Sequence, residues 1–308
     1  MARTKHMIVI PPYLKPGDTI GLLAPAGFMS FEKMQTCVET LQNWGYNLSF
    51  GNTTHSQSQN YFSGTDEERL ADLQQMLDDR NIKAILCVRG GYGLSRIIDR
   101  ISFKKFRKHP KWIIGFSDVT VLHAHVFSNY KIATLHGPMA AAFNDDGYLT
   151  PYIESLKNAL EGAPAKYNTP GHHLNKEGKT KGILVGGNLC LLAHLAGTES
   201  DINTKNKILF LEDVGEYLYN IDRLFVQLKR SGKFERLKGL IIGGFTDSKD
   251  TERPFGLPAY EIIYEQVKEY DFPVCFDFPV SHGKENYALK IGVKYSLEVK
   301  KDTVTLEE

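Results

Sequence analysis

Short apolar runs alternate with segments of helical period through the first half of this chain, and that alternation restricts its fold more than any other feature. After the turn Pro16-Gly17-Asp18, Thr19 to Leu23 reads as a buried strand that opens into the small-residue loop Ala24-Pro25-Ala26-Gly27. Phe31 to Trp44 carries Met34, Val38 and Leu41 at spacings of four and three, a helix that Gly45 stops. Asn47 to Phe50 is a second strand, and Thr65 with Glu68 forms the capping-box pattern of a helix through Leu77. Ile82 to Val88 is a third strand, Trp112 to Gly115 a fourth, and Thr134 to Met139 ends a further one. Pro151 to Leu160 reads as a closing helix. The pattern predicts an α/β fold: a parallel sheet covered by helices on both faces, with ligands bound beyond the C-terminal strand edge.

Two loops at that edge stand out. Arg89-Gly90-Gly91-Tyr92-Gly93 follows the third strand, and its glycines let backbone N–H groups approach a ligand. Gly90 and Gly91 suit an oxyanion-hole donor, a phosphate cradle or a bare tight turn. Neither G-x-x-x-x-G-K-[ST] nor G-x-G-x-x-G is present there, which argues against a nucleotide. The second loop, Gly115-Phe116-Ser117-Asp118, joins the fourth strand to a helical segment beginning near Val119. A strand that turns at once into a helix lifts a serine hydroxyl off the sheet, beside the helix N-terminus. Ser117 is therefore a candidate nucleophile. The G-x-S-x-G elbow fails at Val119, and Ser117 and Asp118 equally suit simple helix caps.

At 308 residues the chain is long for one core, so two domains are expected. The polar stretch with Pro164, Pro170, Gly171 and Gly178 marks the boundary. This gives an N-terminal domain at 1–165, a linker at 166–180 and a C-terminal domain at 181–308. In the second half, Gly182 to Leu189 is a strand breaking into a turn, and Lys207 to Leu211 is a strand ending at Glu212-Asp213-Val214-Gly215-Glu216. Leu240 to Phe245 is another buried strand, and Ile291 to Leu306 alternates like a terminal hairpin.

The charge balance, 37 Lys and Arg against 36 Asp and Glu, provides no field for nucleic acid or an anionic membrane. Small molecules or peptides are the expected partners. The apolar run at Met7 to Ile10 is too short for a signal peptide, and no stretch reaches the ~18 apolar residues of a membrane span. Cys37, Cys87, Cys190 and Cys275 are widely spaced, as suits reduced thiols in a cytoplasmic protein rather than disulfides or zinc. No metal or organic cofactor is expected.

A serine nucleophile needs a base, and the base a carboxylate. His282, in a loop flanked by Pro279 and Gly283, is the best placed histidine, although an exposed loop histidine would look the same. His123 and His125 are two apart on a helix and make a poor metal pair; packing explains them, and His136 suits either a structural role or the lining of the cleft. Glu212, Asp213 and Glu216 are all candidate acids that spacing alone does not separate.

The chain resembles the LD-carboxypeptidase (muramoyltetrapeptide carboxypeptidase) family of serine peptidases. The blocks Leu14 to Asp18, Gly64-Thr65-Asp66, Arg89 to Gly93, Gly115 to Thr120, His136 to Met139, Gly186 to Leu189, Leu211 to Glu216 and His282-Gly283 fall in the family's order. The resemblance implies Ser117, Glu212 and His282 as catalytic residues, and a flavodoxin-like N-terminal domain with a smaller C-terminal α/β domain. It implies a site between those domains, murein peptide as substrate, and a homodimer. For such a site, the N–H groups of Gly91 and Asp118 are the expected oxyanion donors, with Arg89 and Gly90 contacting substrate. Two rivals remain: a hydrolase resembling the microcin-immunity enzymes, which cleave acyl-sulfamoyl adenylates with the same three residues, and a non-catalytic peptide-binding protein.

Overall fold

A computed structural model describes residues 7–144 and 150–308; the basic residues Arg3 and Lys5 lie outside it. The chain divides into two compact units, Met1–Ala163 with Ala288–Gly292, and Pro164–Tyr287 with Val293–Glu308.

In the first unit, strands β1 (Thr19–Leu23), β2 (Asn47–Phe50), β3 (Ile82–Cys87), β4 (Trp112–Gly115) and β5 (Thr134–His136) pair in the order β2-β1-β3-β4-β5. All of these pairings are parallel. This is the flavodoxin-like order, with its switch point between β1 and β3. Helix α1 (Gln35–Asn43) connects β1 to β2, α2 (Asp66–Asp78) connects β2 to β3, and α3 (Thr120–Tyr130) connects β4 to β5. Right-handed crossovers running in opposite directions from β1 place α1 on one face and α2 and α3 on the other. Trp112, Ile113 and Ile114 of β4 are all buried, as their apolar run requires. Thr65 and Glu68 cap α2 reciprocally, as their spacing predicts. The helix expected over Phe31 to Trp44 starts as a 3-10 turn at Phe31–Met34 before α1 takes over. Helix α4 (Pro151–Glu161) starts on a Thr150 cap.

The second unit's sheet joins β6 (Lys166–Pro170), β7 (Gly178–Asn188), β8 (Lys207–Val214), β9 (Gly239–Thr246), β10 (Val274–Cys275), β12 (Lys294–Val299) and β13 (Thr303–Glu307), in the order β10-β9-β8-β7-β12-β13-β6. Strands β7 to β10 pair in parallel, and the β12–β13 hairpin and β6 pair antiparallel. Helix α5 (Leu189–His194) follows β7, α6 (Leu218–Arg230) follows β8, and α7 (Ala259–Val267) precedes β10.

Three expectations are corrected. The presumed linker 166–180 holds β6 and the start of β7, because Lys166 to Pro170 alternates exposed and buried positions and pairs with β13. The terminal hairpin begins at Lys294 rather than Ile291. Residues Leu289–Ile291 form β11, antiparallel to β5 on the first unit's sheet, so a segment distant in sequence completes that edge. Strand β8 continues to Val214, which places Glu212 within the strand instead of beyond it.

Candidate active site

Within the first unit, the loops after β1, β3 and β4 meet at the C-terminal edge of the sheet. Ser117 adopts φ 60°, left-handed backbone that non-glycine residues seldom accept. Phe116 before it is extended, and a 3-10 turn at Ser117–Val119 leads straight into α3. A sharp strand-to-helix turn of this kind, here without the second glycine, is one that can present a serine hydroxyl above a sheet. Strain of this kind costs of order 1–3 kcal/mol and persists where surrounding structure enforces it.

That enforcement can be traced through named contacts. Gly90 packs directly on the serine: a Cβ at position 90 would stand 2.8 Å from Ser117 Cβ and 3.3 Å from the Asp118 nitrogen. Gly91, at φ 101°, follows. The N–H groups of Gly91 and Asp118 make no loop or turn bond among the described residues. The Asp118 side chain is buried and turns back to accept the Leu94 N–H at 2.8 Å, tying the serine turn to the glycine loop. Burial pushes its carboxyl up to about 6, against the opposing pull of the Leu94 bond and of Arg69. Arg89 is exposed and has no ion pair or hydrogen bond among the described residues.

Beneath these loops lies Arg69, which sequence reasoning passed over. Its guanidinium is buried, donates to Pro25 O at 2.8 Å and Gly93 O at 3.1 Å, and pairs with Asp66, which also binds Arg96. One arginine thus fixes the loops after β1 and β3 together. Its sequence context is an ordinary charged helix turn, so nothing local announced the role. Deeper still, His123 Nε2–H donates to Gly115 O at 2.8 Å, and burial lowers the ring to about 4, so it is a neutral structural histidine. His125 stacks on Phe103, and His136 is buried in β5 against Phe116.

In the second unit, Glu212 is fully buried on β8, and its Oε2 accepts from His282 Nδ1 at 2.6 Å. Burial lowers the imidazole's proton affinity, but the Glu212 charge and hydrogen bond, with Asp213, more than offset this and leave its pKa raised. Asp213 is differently engaged: Asn188 Nδ2 and the amides of Val214 and Cys190 all donate to it. Burial and the neighbouring Glu212 push it up to about 7. Glu216 accepts from Asn220. Of the three acids that spacing left open, Glu212 is the one hydrogen-bonded to His282.

The approach of His282 depends on a second feature that sequence reasoning missed. Leu211 pairs with Ile242 and Asp213 with Phe245, so β9 carries one extra residue where Gly243 and Gly244 oppose Glu212. A Cβ on Gly243 would stand 2.2 Å from Val280 O, and one on Gly244 2.5 Å from Ser281 Cβ. The glycine bulge lets the loop carrying His282 settle on the strand. Adjacent glycines inside an apolar strand are a bulge signal. Ser281 Oγ then donates to Glu285 O and accepts the Gly283 amide, closing the loop on itself.

Among the described residues no group of three or more His, Cys, Asp or Glu side chains is arranged to hold a metal ion, and no helix is long and apolar enough to cross a membrane. Cys37, Cys87 and Cys275 are buried thiols; Cys190 is half-buried, and burial chiefly pushes it up to about 11, which makes it a poor nucleophile.

Residues 20–137 match the family described as LD-carboxypeptidase N-terminal domain, and residues 181–297 match its C-terminal domain. A probable murein peptide carboxypeptidase of Bacillus subtilis is 34% identical, covering 96% of this chain and 94% of that protein. The crystal structure of a muramoyltetrapeptide carboxypeptidase from Oxalobacter formigenes superposes with a TM-score of 0.84 at 26% identity, over 94% of this chain and 98% of the other. The microcin C7 self-immunity protein of Escherichia coli is 27% identical, covering 98% of this chain and 96% of that protein.

Proposed function

The chain belongs to the LD-carboxypeptidase family of peptidases, and from that premise we propose that it is a serine carboxypeptidase releasing the terminal D-alanine of a murein tetrapeptide. In this reading Ser117 Oγ attacks the carbonyl of the L,D-peptide bond while His282 takes its proton through Nε2. Glu212 holds the imidazole by Nδ1 and stabilises the cation that forms. The N–H groups of Gly91 and Asp118 receive the oxyanion; losing one such donor typically costs ~10²–10³ in rate. The intermediate collapses, His282 protonates the departing D-alanine amine, and water then hydrolyses the acyl-serine by the same steps in reverse. We assign the reaction to peptidoglycan recycling in the cytoplasm by a homodimer.

The observation that carries this reading is the buried Glu212–His282 bond, since a carboxylate on Nδ1 selects the tautomer that leaves Nε2 basic. The test is D-alanine release from purified murein tetrapeptide by wild type and Ser117→Ala, with the terminal L-alanine isomer as control. Release by wild type alone, from the D isomer alone, is expected. Equal release by the variant removes Ser117 from the mechanism.

A second reading, a hydrolase of acyl-sulfamoyl adenylates, draws support from one feature of the second unit. Tyr217 and Tyr219 are exposed and stacked with ring centroids 5.5 Å apart, just beyond the end of β8, an aromatic surface suited to a nucleobase. Turnover of an aminoacyl sulfamoyl adenosine, with none of the tetrapeptide, selects this reading. Failure of Ser117 to react with a fluorophosphonate, together with no turnover of either substrate, selects a non-catalytic peptide-binding protein.

A further inference from the structure

We propose that Tyr61 is a specificity-determining residue whose hydroxyl donates a hydrogen bond to the free terminal carboxylate of the substrate; the inference rests on Ser117 being the nucleophile. Covalent geometry makes the argument possible. In a carboxypeptidase substrate the terminal carboxylate carbon is only three bonds from the scissile carbonyl carbon, so the two groups lie within ~5 Å of each other. Whatever reads the carboxylate must therefore stand close to the oxyanion donors.

Tyr61 stands there. A Cβ on Gly91 would be 2.9 Å from the Tyr61 hydroxyl and 3.6 Å from Gly27 Cα, and a Cβ on Gly27 would be 3.3 Å from Arg89 Nε. The phenol and the guanidinium thus bracket the contact between Gly27 and Gly91, next to the Gly90 that packs on Ser117. The Tyr61 hydroxyl has no hydrogen-bond partner among the described residues, and the residue is 58% exposed. Tyr92, also exposed and adjacent to Gly91, differs: its phenol acts on Arg96 and, after Asp66, helps to hold that guanidinium's pKa up.

The free hydroxyl is nevertheless held in place. Phe28 N–H donates to Tyr61 O at 3.0 Å, Gly27 bridges Phe62, and the Tyr61 ring meets Phe62 edge-on at 5.3 Å. The Phe62 ring is in turn covered by the Arg69 and Arg96 guanidiniums at 4.9 and 5.6 Å. A polar group fixed from behind and uncommitted in front is prepared for a ligand acceptor. Arg89 supplies the charge, and Tyr61 supplies a neutral donor of fixed direction.

The experiment compares wild type and Tyr61→Phe on the tetrapeptide and on its C-terminal carboxamide, measuring kcat and KM separately. Loss of a hydrogen bond to a charged group predicts a roughly 10- to 100-fold fall in kcat/KM on the acid. The fall resides mainly in KM, because the carboxylate is bound alike in ground and transition states. On the carboxamide the penalty is several-fold smaller than on the acid, since the amide oxygen still accepts but carries no charge. Unchanged kcat/KM on the acid, or an equal penalty on both substrates, removes Tyr61 from specificity while leaving the peptidase reading intact. A wild type that releases no D-alanine from the acid removes that reading and this inference together. Thermal unfolding of Tyr61→Phe is expected to match wild type, because only an exposed hydroxyl is lost.

Discussion

His282 Nδ1 and Glu212 Oε2 are 2.6 Å apart, with the carboxylate fully buried and the imidazole partly open, while the next residue along the strand, Asp213, is bound to Asn188 and the Cys190 amide. Adjacent carboxylates on one strand thus have separate work: one holds the histidine and the other ties β8 to the start of α5.

The pair sets a pH dependence. With His282 as the proposed base, its raised pKa predicts that kcat/KM falls as pH drops through a value above the ordinary ~6.5 of histidine, since that base must be neutral. In Glu212→Gln the lowering effect of burial prevails, so the acid limb moves to lower pH while the plateau falls roughly 10²–10⁴-fold. The same pair stabilises the folded chain fully below about pH 6.5, and this contribution disappears as pH rises through the folded value. A pH–rate profile of both proteins checks the first statement and urea unfolding across pH 5–8 the second. An unshifted limb in the variant would show that another group titrates.

Ser117 predicts an exchange of stability against activity. Glycine accepts φ 60° without strain, so Ser117→Gly is expected to be more stable than Ser117→Ala, by about 1 kcal/mol, although neither turns over substrate. Urea midpoints of the two inactive variants measure the difference, and equal midpoints would place the strain elsewhere.

If His282 is the base, the bulge opposite Glu212 predicts that Gly243→Ala damages catalysis through the loop it supports. The added methyl collides with Val280 O, which moves the loop bearing His282 or destabilises the sheet by roughly 1–3 kcal/mol. A fall in kcat with little change in KM is expected. Wild-type kcat would show that the loop adapts without displacing His282.

For Arg69→Met the loss is structural first. Pro25 O and Gly93 O lose a buried donor, and Asp66 loses one of its two arginines, a change on the order of 3 kcal/mol. Thermal unfolding should drop, and hydrogen exchange at residues 90–94 should quicken relative to α3. Unchanged exchange there would separate Arg69 from the glycine loop.

Much of this was legible in the sequence because it is local. The apolar run Trp112 to Ile114, the reciprocal cap of Thr65 and Glu68, and the helix after Ser117 are fixed by neighbours a few residues away. The choice among Glu212, Asp213 and Glu216 was not local. It depends on a loop some 70 residues later reaching one carboxylate, and on an extra glycine in β9 that permits the approach. Arg69 was illegible for the same reason, since its partners Pro25 and Gly93 are distant in sequence. The misplaced linker reflects a different limit. Proline and glycine at 164–178 mark breaks in the chain but do not show whether a short edge strand lies between them.

Leu289–Ile291 give the first unit a timetable as well as an edge. On a ribosome, β1 to β5 emerge and pair while β5 still presents an unsatisfied row of amides and carbonyls, and the strand that covers it arrives only after about 150 more residues. Excising residues 1–163 as an independent fragment leaves that row open to a neighbouring molecule, so the fragment carries an aggregation hazard that pairing of Leu289–Ile291 with β5 removes.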